Sequence, residues 1–406
     1  MINECFMSGR GAKQRVGQAY SCRDSIGPLL FLAGIFYLNF LGRIILSPLL
    51  PSVEACLKLT HGQVGSLFIF LSMGYFIAIL GSGFLSSAIT HRRTVLVSAV
   101  ATGVALVFTA SQHGVWGLRT GVFMLGLSAG IYLPSGIATI TGLFENRHWG
   151  RALSVHELAP NLAFLSAPFM AAGLLSRFTW NMILILIGIF SISAGLLYSC
   201  FGKGGREAGA PPVFSRCRPL FQLPDFWIMI LLFSMGISST LGIYNLLPLY
   251  LVNEYGMTGS EANSLVGLSR ISTLFTALAG GWIADFLGVR ITMGITLFLS
   301  GAVTVLLGGA GQAWIEACVF LQPVLAVCFF PAGFAALSRL GPRESRNIVV
   351  SLTVPVAFLL GGGIIPAVIG YMAESGHFGG GFVLAGCLML TGPVLTWCLR
   401  RRSGEN

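Results

Sequence analysis

Twelve runs of about twenty apolar residues, mostly set apart by short polar turns, leave this chain little choice of fold. They lie at about 28–50, 64–89, 94–110, 117–142, 150–175, 180–201, 225–251, 261–285, 290–311, 315–338, 348–372 and 380–399. Each is long enough to cross the hydrocarbon core of a bilayer as a helix, the one open segment that satisfies all its own backbone N–H and C=O groups. A membrane β-barrel is excluded, because its strands are about half as long and alternate in polarity. Composition excludes a soluble fold: 55% of the residues are hydrophobic and only 9% charged, against roughly 25% charged in soluble domains. The 53 glycines suit helices packed at close range in lipid. The expected fold class is an all-α membrane protein with twelve transmembrane helices.

Lysine and arginine placement sets the orientation. The N-terminal tail, the even-numbered loops and the C-terminal tail carry nineteen cations, among them Arg92, Arg93, Arg147, Arg151, Lys203, Arg206, Arg290 and Arg339. The opposite side has Lys58 and Arg177, and Arg43, Arg119 and Arg270 fall inside spans. Both termini are expected in the cytoplasm, with the chain a multi-pass protein of the cytoplasmic (inner) membrane. The net charge of +10 is accounted for by this topology and gives no reason to expect nucleic acid as a partner. Residues 1–26 read as a polar, disordered tail rather than a cleavable signal, because the first span is too long for one. The nine cysteines are scattered, without metal-ligand spacing, so neither a metal nor a disulfide framework is expected.

The chain is also duplicated. Gly281-Trp282-Ile283-Ala284-Asp285-Phe286-Leu287-Gly288-Val289-Arg290 joins two spans through a tight polar turn. A degraded copy, Gly83-Phe84-Leu85-Ser86-Ser87-Ala88-Ile89-Thr90-His91-Arg92, stands 198 residues earlier. Pro168 and Pro366 share that offset, and Pro48-Leu49-Leu50-Pro51 matches Pro248-Leu249-Tyr250-Leu251. The division is then a tail 1–27, a six-helix bundle 28–201, a basic loop 202–224 holding Pro211-Pro212, a second bundle 225–399 and a tail 400–406.

This layout, the long central loop and the Gly281–Arg290 motif resemble the major facilitator superfamily over about 28–400. The family's loop motif reads Gly-x-x-x-Asp-[Arg/Lys]-x-Gly-[Arg/Lys]-[Arg/Lys]. Gly281, Asp285, Gly288 and Arg290 fill it, while Phe286 and Val289 depart. The first copy keeps Gly83 and Arg92 but has Ser87 and Thr90 at the acidic and second glycine positions. The resemblance implies two pseudo-symmetric six-helix bundles, a monomer, and transport by alternating access around a midplane site. Asp285 would then be part of a cytoplasmic gate, pairing with an arginine or a helix N-terminus of the other half. The alternative is a capping charge that never switches.

Charges within spans are costly in lipid and point toward a cavity or a partner. Arg43 shares a helical face with Asn39 and Ser47 and is a candidate to hold a substrate carboxylate, with snorkelling to the headgroups as the alternative. Arg270 lies too deep to snorkel, and no acidic residue stands at matching depth in the other spans, so it is the stronger candidate to bind an anionic substrate or take part in coupling. His156 and Glu157, in the cytoplasmic third of span five, are candidates to carry a coupling proton, with Asn161 one turn on to hydrogen-bond Glu157. Their alternative is structural, for instance Glu157 paired with Arg147 or Arg151. Tyr37, Tyr132, Tyr244, Asn245 and Gln322 are candidate cavity contacts or helix-to-helix glue. Arg119 reads as an anchor at the outer interface.

No phosphate-binding Gly-x-x-x-x-Gly-Lys-[Ser/Thr] occurs, so no ATP drive and no cofactor are expected, and the chain is not read as an enzyme. The expectation is a secondary transporter of a small organic anion such as a carboxylate, driven by symport with H+. The alternatives are an exporter of hydrophobic or cationic compounds and a non-transporting membrane sensor.

Overall fold

A computed structural model describes residues 22–209, 218–309, 311–340 and 346–399. The tail up to residue 21, Pro211-Pro212 of the central loop and the tail 400–406 lie outside them. So do the cations Arg10, Lys13, Arg15, Arg216, Arg343, Arg400, Arg401 and Arg402. Among the described residues, twelve long helical rods follow in chain order. The first six are α1 (Ser25–Leu57), α2 (His61–Ile89), α3 (His91–Ala110), α4 (Val115–Leu143), α5 (Trp149–Leu174) and α6 (Trp180–Phe201). The second six are α7 (Pro224–Tyr255), α8 (Gly259–Ile271 continued by Thr273–Leu287), α9 (Val289–Gly309), α10 (Ile315–Arg339), α11 (Val349–Glu374) and α12 (Phe378–Cys398). Ten are long and apolar enough to cross a membrane on their own. The other two are α5, which carries His156, Glu157 and Asn161, and α8, which is interrupted at Ser272.

Local sequence explains where the rods begin and bend. Thr60 and Thr258 each cap a helix through a reciprocal box with the side chain three residues on, Gln63 and Glu261. α1 runs seven residues past its expected end at residue 50, because the chain starts a new helical segment at Leu46 that holds Pro48 in its first turn and accommodates Pro51 in its interior. π-helical segments at Ser238–Gly242 and Phe358–Ile364 interrupt α7 and α11 where Thr240, Leu241 and Phe358 line the central cavity. The duplication is visible in packing. A Cβ on Gly103 would lie 2.4 Å from the Gly188 carbonyl, and one on Gly301 would lie 2.9 Å from that of Gly386. Only glycine lets α3 reach α6, and α9 reach α12, so closely.

The two halves meet mainly at one end. There Leu46–Leu57 packs on Ile243–Tyr255, α2 on Ile365–Glu374, and α5 on Gly259–Ile271. Ser47 Oγ donates to the Tyr244 carbonyl at 2.7 Å, and Asn263 Nδ2 to the Pro48 carbonyl at 3.0 Å. The segments nearest the hairpins, Tyr132–Leu143 and Thr273–Leu287, pack against their own halves instead. The molecule is therefore closed at the end opposite the hairpins.

Candidate functional site

A cavity of about 420 Å³ lies between the halves, lined from both. Arg43, Glu157 and Asn161 come from the first half, and Thr240, Arg270 and Thr273 from the second, among walls of phenylalanine, leucine and valine.

Both arginines are buried, at 6% and 3% exposure. Neither makes an ion pair among the described residues, and Arg270 Nε is buried with no hydrogen-bond acceptor. Aromatic rings hold them instead. The Arg43 guanidinium lies 4.5 Å from the Phe40 ring centroid, 4.3 Å from Tyr75 and 5.5 Å from Phe358. Arg270 lies 5.1 Å from Phe164 and 4.8 Å from Tyr244. Phe40 and Phe164 touch, with centroids 5.2 Å apart, and Phe164 meets Tyr244 at 5.0 Å. One aromatic ridge thus carries two guanidiniums contributed by opposite halves. Ring faces cover cations well but accept no in-plane N–H bonds, so the donor edges remain for a ligand.

Glu157 opens onto the same cavity, its side chain 56% exposed. The cavity therefore extends from the arginines to an acid expected nearer the hairpin face. Glu157 is not paired with Arg147, which binds Glu145 at 2.8 Å; its ion-pair contact is His156 Nδ1, 3.5 Å away. His156 is fully buried, stacked on Phe36 at 4.3 Å, with Nε2 3.1 Å from the Tyr132 hydroxyl. Asn161 donates to the Glu157 main-chain carbonyl at 3.3 Å, not to its carboxylate as expected.

The other polar candidates face neighbouring helices. Asn39 donates to Ser98 Oγ at 3.4 Å and to the Ala129 carbonyl at 3.3 Å inside the first bundle. Tyr132 donates to the Leu32 carbonyl at 2.7 Å, Asn245 to that of Gly362 at 3.2 Å, and Gln322 to that of Ser239 at 2.7 Å. Tyr37 shares a hydrogen bond with Ser166 at 2.7 Å. Tyr244 lends its ring to Arg270 while its hydroxyl stays buried. Apart from the Tyr244 hydroxyl, which is buried without a hydrogen-bond partner among the described residues, they answer the same demand, that a polar group in lipid find a partner, but with helices rather than the cavity. The cavity aromatics were missed. A faint signal exists in α1, where Phe36, Phe40 and Arg43 share one helical face.

At the hairpins, Arg92 donates to the Ser199 carbonyl at 2.9 Å, and Arg290 to the carbonyls of Thr396 and Trp397. Ser199 and Trp397 are again 198 residues apart, so each arginine ties its hairpin to the last helix of its own half. Asp285 is exposed and makes no ion pair among the described residues. Arg119 bonds Ser66 at 2.9 Å and lies over Trp116, also within its own half.

With this geometry in hand, known proteins place the chain. The sequence profile of the Major Facilitator Superfamily matches residues 32–268 and 226–406. A protein TsgA homolog of Erwinia tasmaniensis is 24% identical over 60% of this chain, and the match spans 62% of that protein's length, about three fifths. The D-galactonate transporter of Escherichia coli O6:H1 is 23% identical over 69% of this chain and 77% of its own. The uncharacterized transporter YybO of Bacillus subtilis is 21% identical over 97% of both. Among solved structures, a bacterial homolog of the human lysosomal transporter Spinster, inward-facing and unoccupied, superposes with a TM-score of 0.81 at 13% identity, covering 93% of this chain and 97% of that one. A D-xylose-proton symporter gives 0.77 at 14% identity, covering 94% and 98%.

Proposed function

This chain is a multi-pass membrane protein that belongs to the major facilitator superfamily, and from that premise we propose that it is a secondary transporter of small organic anions, driven by symport with protons across the cytoplasmic membrane. One observation carries the reading. Two buried guanidiniums from opposite halves share one aromatic ridge, with no acidic partner among the described residues. A buried charge without a counter-charge is costly, and a carboxylate bound between the two would supply it. Because each half contributes one arginine, a bound anion would bridge the surfaces that alternating access must bring together.

Glu157, 3.5 Å from His156, is the proposed proton carrier, because it is the one carboxylate among the described residues that line the cavity. The cation count of the loops supports a cytoplasmic position for the hairpins, under which the closed end is periplasmic and the conformation inward-open. Asp285 would then be a gate residue seen in its released state.

The test is uptake of labelled carboxylates into proteoliposomes under an imposed proton gradient. Arg270→Ala should lower uptake roughly ten- to a hundredfold, the worth of a lost charge-assisted contact, and wild-type uptake by that variant would sink the assignment. The Glu157 carboxylate favours a second reading, efflux of a hydrophobic cation. Under it, Arg270→Ala should raise rather than abolish transport.

A further inference from the structure

The polar inventory of the cavity says what kind of anion it takes. Apart from the two guanidiniums and Glu157, the wall offers the Asn161 amide and the hydroxyls of Thr240, Thr273 and Tyr75. Much of that capacity is already used. Asn161 donates to a main-chain carbonyl, as do Thr240 and Thr273, the latter to Arg270 at 2.6 Å. A polyhydroxylated acid brought here would leave most of its hydroxyls without partners, at about 1–3 kcal/mol for each one buried. The remaining lining is apolar, and its second-half wall holds Phe330, Phe334 and Phe358. The volume, about 420 Å³, is at the small end for ligand pockets.

We propose that the site selects a carboxylate carried on a single aromatic or similarly flat apolar body. The carboxylate takes the guanidinium edges of Arg43 and Arg270, and the ring lies among the facing phenylalanines. The stacked cations contribute to this choice. Phe40 and Phe164 lie 4.5 and 5.1 Å from the two guanidiniums and confine them before the ligand arrives, so less side-chain freedom is lost on binding. The named cargo of the D-galactonate relative, a sugar acid, belongs to the class this cavity would reject.

The inference rests on the anion reading above, and one experiment separates their failures. Thermal unfolding of the purified full-length protein is followed with benzoate or phenylacetate, with D-galactonate, and with the neutral isostere benzamide; a bound ligand raises the unfolding temperature with concentration. The expected result is a response to the aryl carboxylates at concentrations at least tenfold lower than to D-galactonate, with benzamide equally weak. In Arg270→Lys, which keeps the charge and loses the fork, the aryl carboxylate response should shift to at least tenfold higher concentration. A stronger response to D-galactonate overturns the ring preference and leaves the anion reading standing. Benzamide acting as well as benzoate, or no response to any anion, overturns both. An unchanged benzoate response in Arg270→Lys, with the variant eluting as a monodisperse protein, overturns the bidentate geometry.

Discussion

The first half ends a helix at Lys58 with φ 52°, and the second ends its counterpart at Gly256 with φ 65°. Thr90, with φ 84° and ψ 154°, answers Gly288, with φ 85° and ψ 146°, in the same way. Both pairs are 198 residues apart. Among the described residues, Lys58 and Thr90 are the only non-glycines with positive φ. The duplicated backbone has thus been kept where the side chains have not, and the first half holds two side chains in conformations that suit glycine. Its hairpin is also tied down. His91 and Arg92 donate main-chain N–H bonds to Glu207 at 3.2 Å and Gly205 at 2.7 Å, and Gly209 donates to Ser86 at 2.9 Å. The second hairpin leaves Trp282 73% and Phe286 80% exposed, beside Asp285, which has no ion pair among the described residues. A hairpin held in this way tolerates backbone strain, and the gating role proposed for the second would give it more use for glycine and for an exposed carboxylate.

The largest expected effect tests that contrast directly. Asp285→Asn should reduce proteoliposome uptake by roughly tenfold or more, the scale of one charge-assisted contact made in the alternate state. Ser87→Ala should leave uptake within about twofold, since its hydroxyl bonds only the Phe84 carbonyl of its own helix. Equal losses in the two variants would erase the asymmetry. Next comes Gly288→Ala. A Cβ there meets nothing within 4 Å, so any cost is backbone cost alone, about 1–3 kcal/mol. Denaturant unfolding of the purified variant measures it, and wild-type stability would show that the hairpin relaxes freely.

How far sequence reaches depends on the kind of question. Spans and turns were legible because lipid demands long apolar helices, whereas the capping boxes at Thr60 and Thr258, though local, formed no part of the expectation. Arg43, Arg270 and Glu157 stood out because charge in a span is costly wherever it points. Asn39, Asn245 and Gln322 did not sort themselves, since polarity inside a span says that a partner is needed, not whether that partner is a helix or a ligand. The ridge of Phe40 and Phe164 was invisible for a different reason. A phenylalanine facing lipid and one under a guanidinium look alike until the helices are assembled. The Glu157–His156 contact lies between chain neighbours, yet the structural pairing expected for Glu157 was with Arg147 or Arg151 on its N-terminal side.

The smallest effects concern the strained positions of the first half. At Thr90, a β-branched residue occupies a region that is essentially glycine's, at about 1–3 kcal/mol. Thr90→Gly removes that strain but frees the unfolded chain by about 0.5–1 kcal/mol. The net gain should be about 1 kcal/mol, seen as a raised unfolding midpoint. Lys58 is in the milder left-handed helical region, where a side chain costs about 1–2 kcal/mol in a repeating helix and less at a single capping residue. Lys58→Gly gives back a similar amount through the unfolded state, so the two terms nearly cancel and the midpoint should move by less than half as much as in Thr90→Gly. If Lys58→Gly stabilises the protein as strongly as Thr90→Gly, the strain of the first half follows the sign of φ alone. If it does not, ψ and the β-branch decide it, and the hairpin at Thr90 is the place where the first half departs most from the backbone it shares with the second.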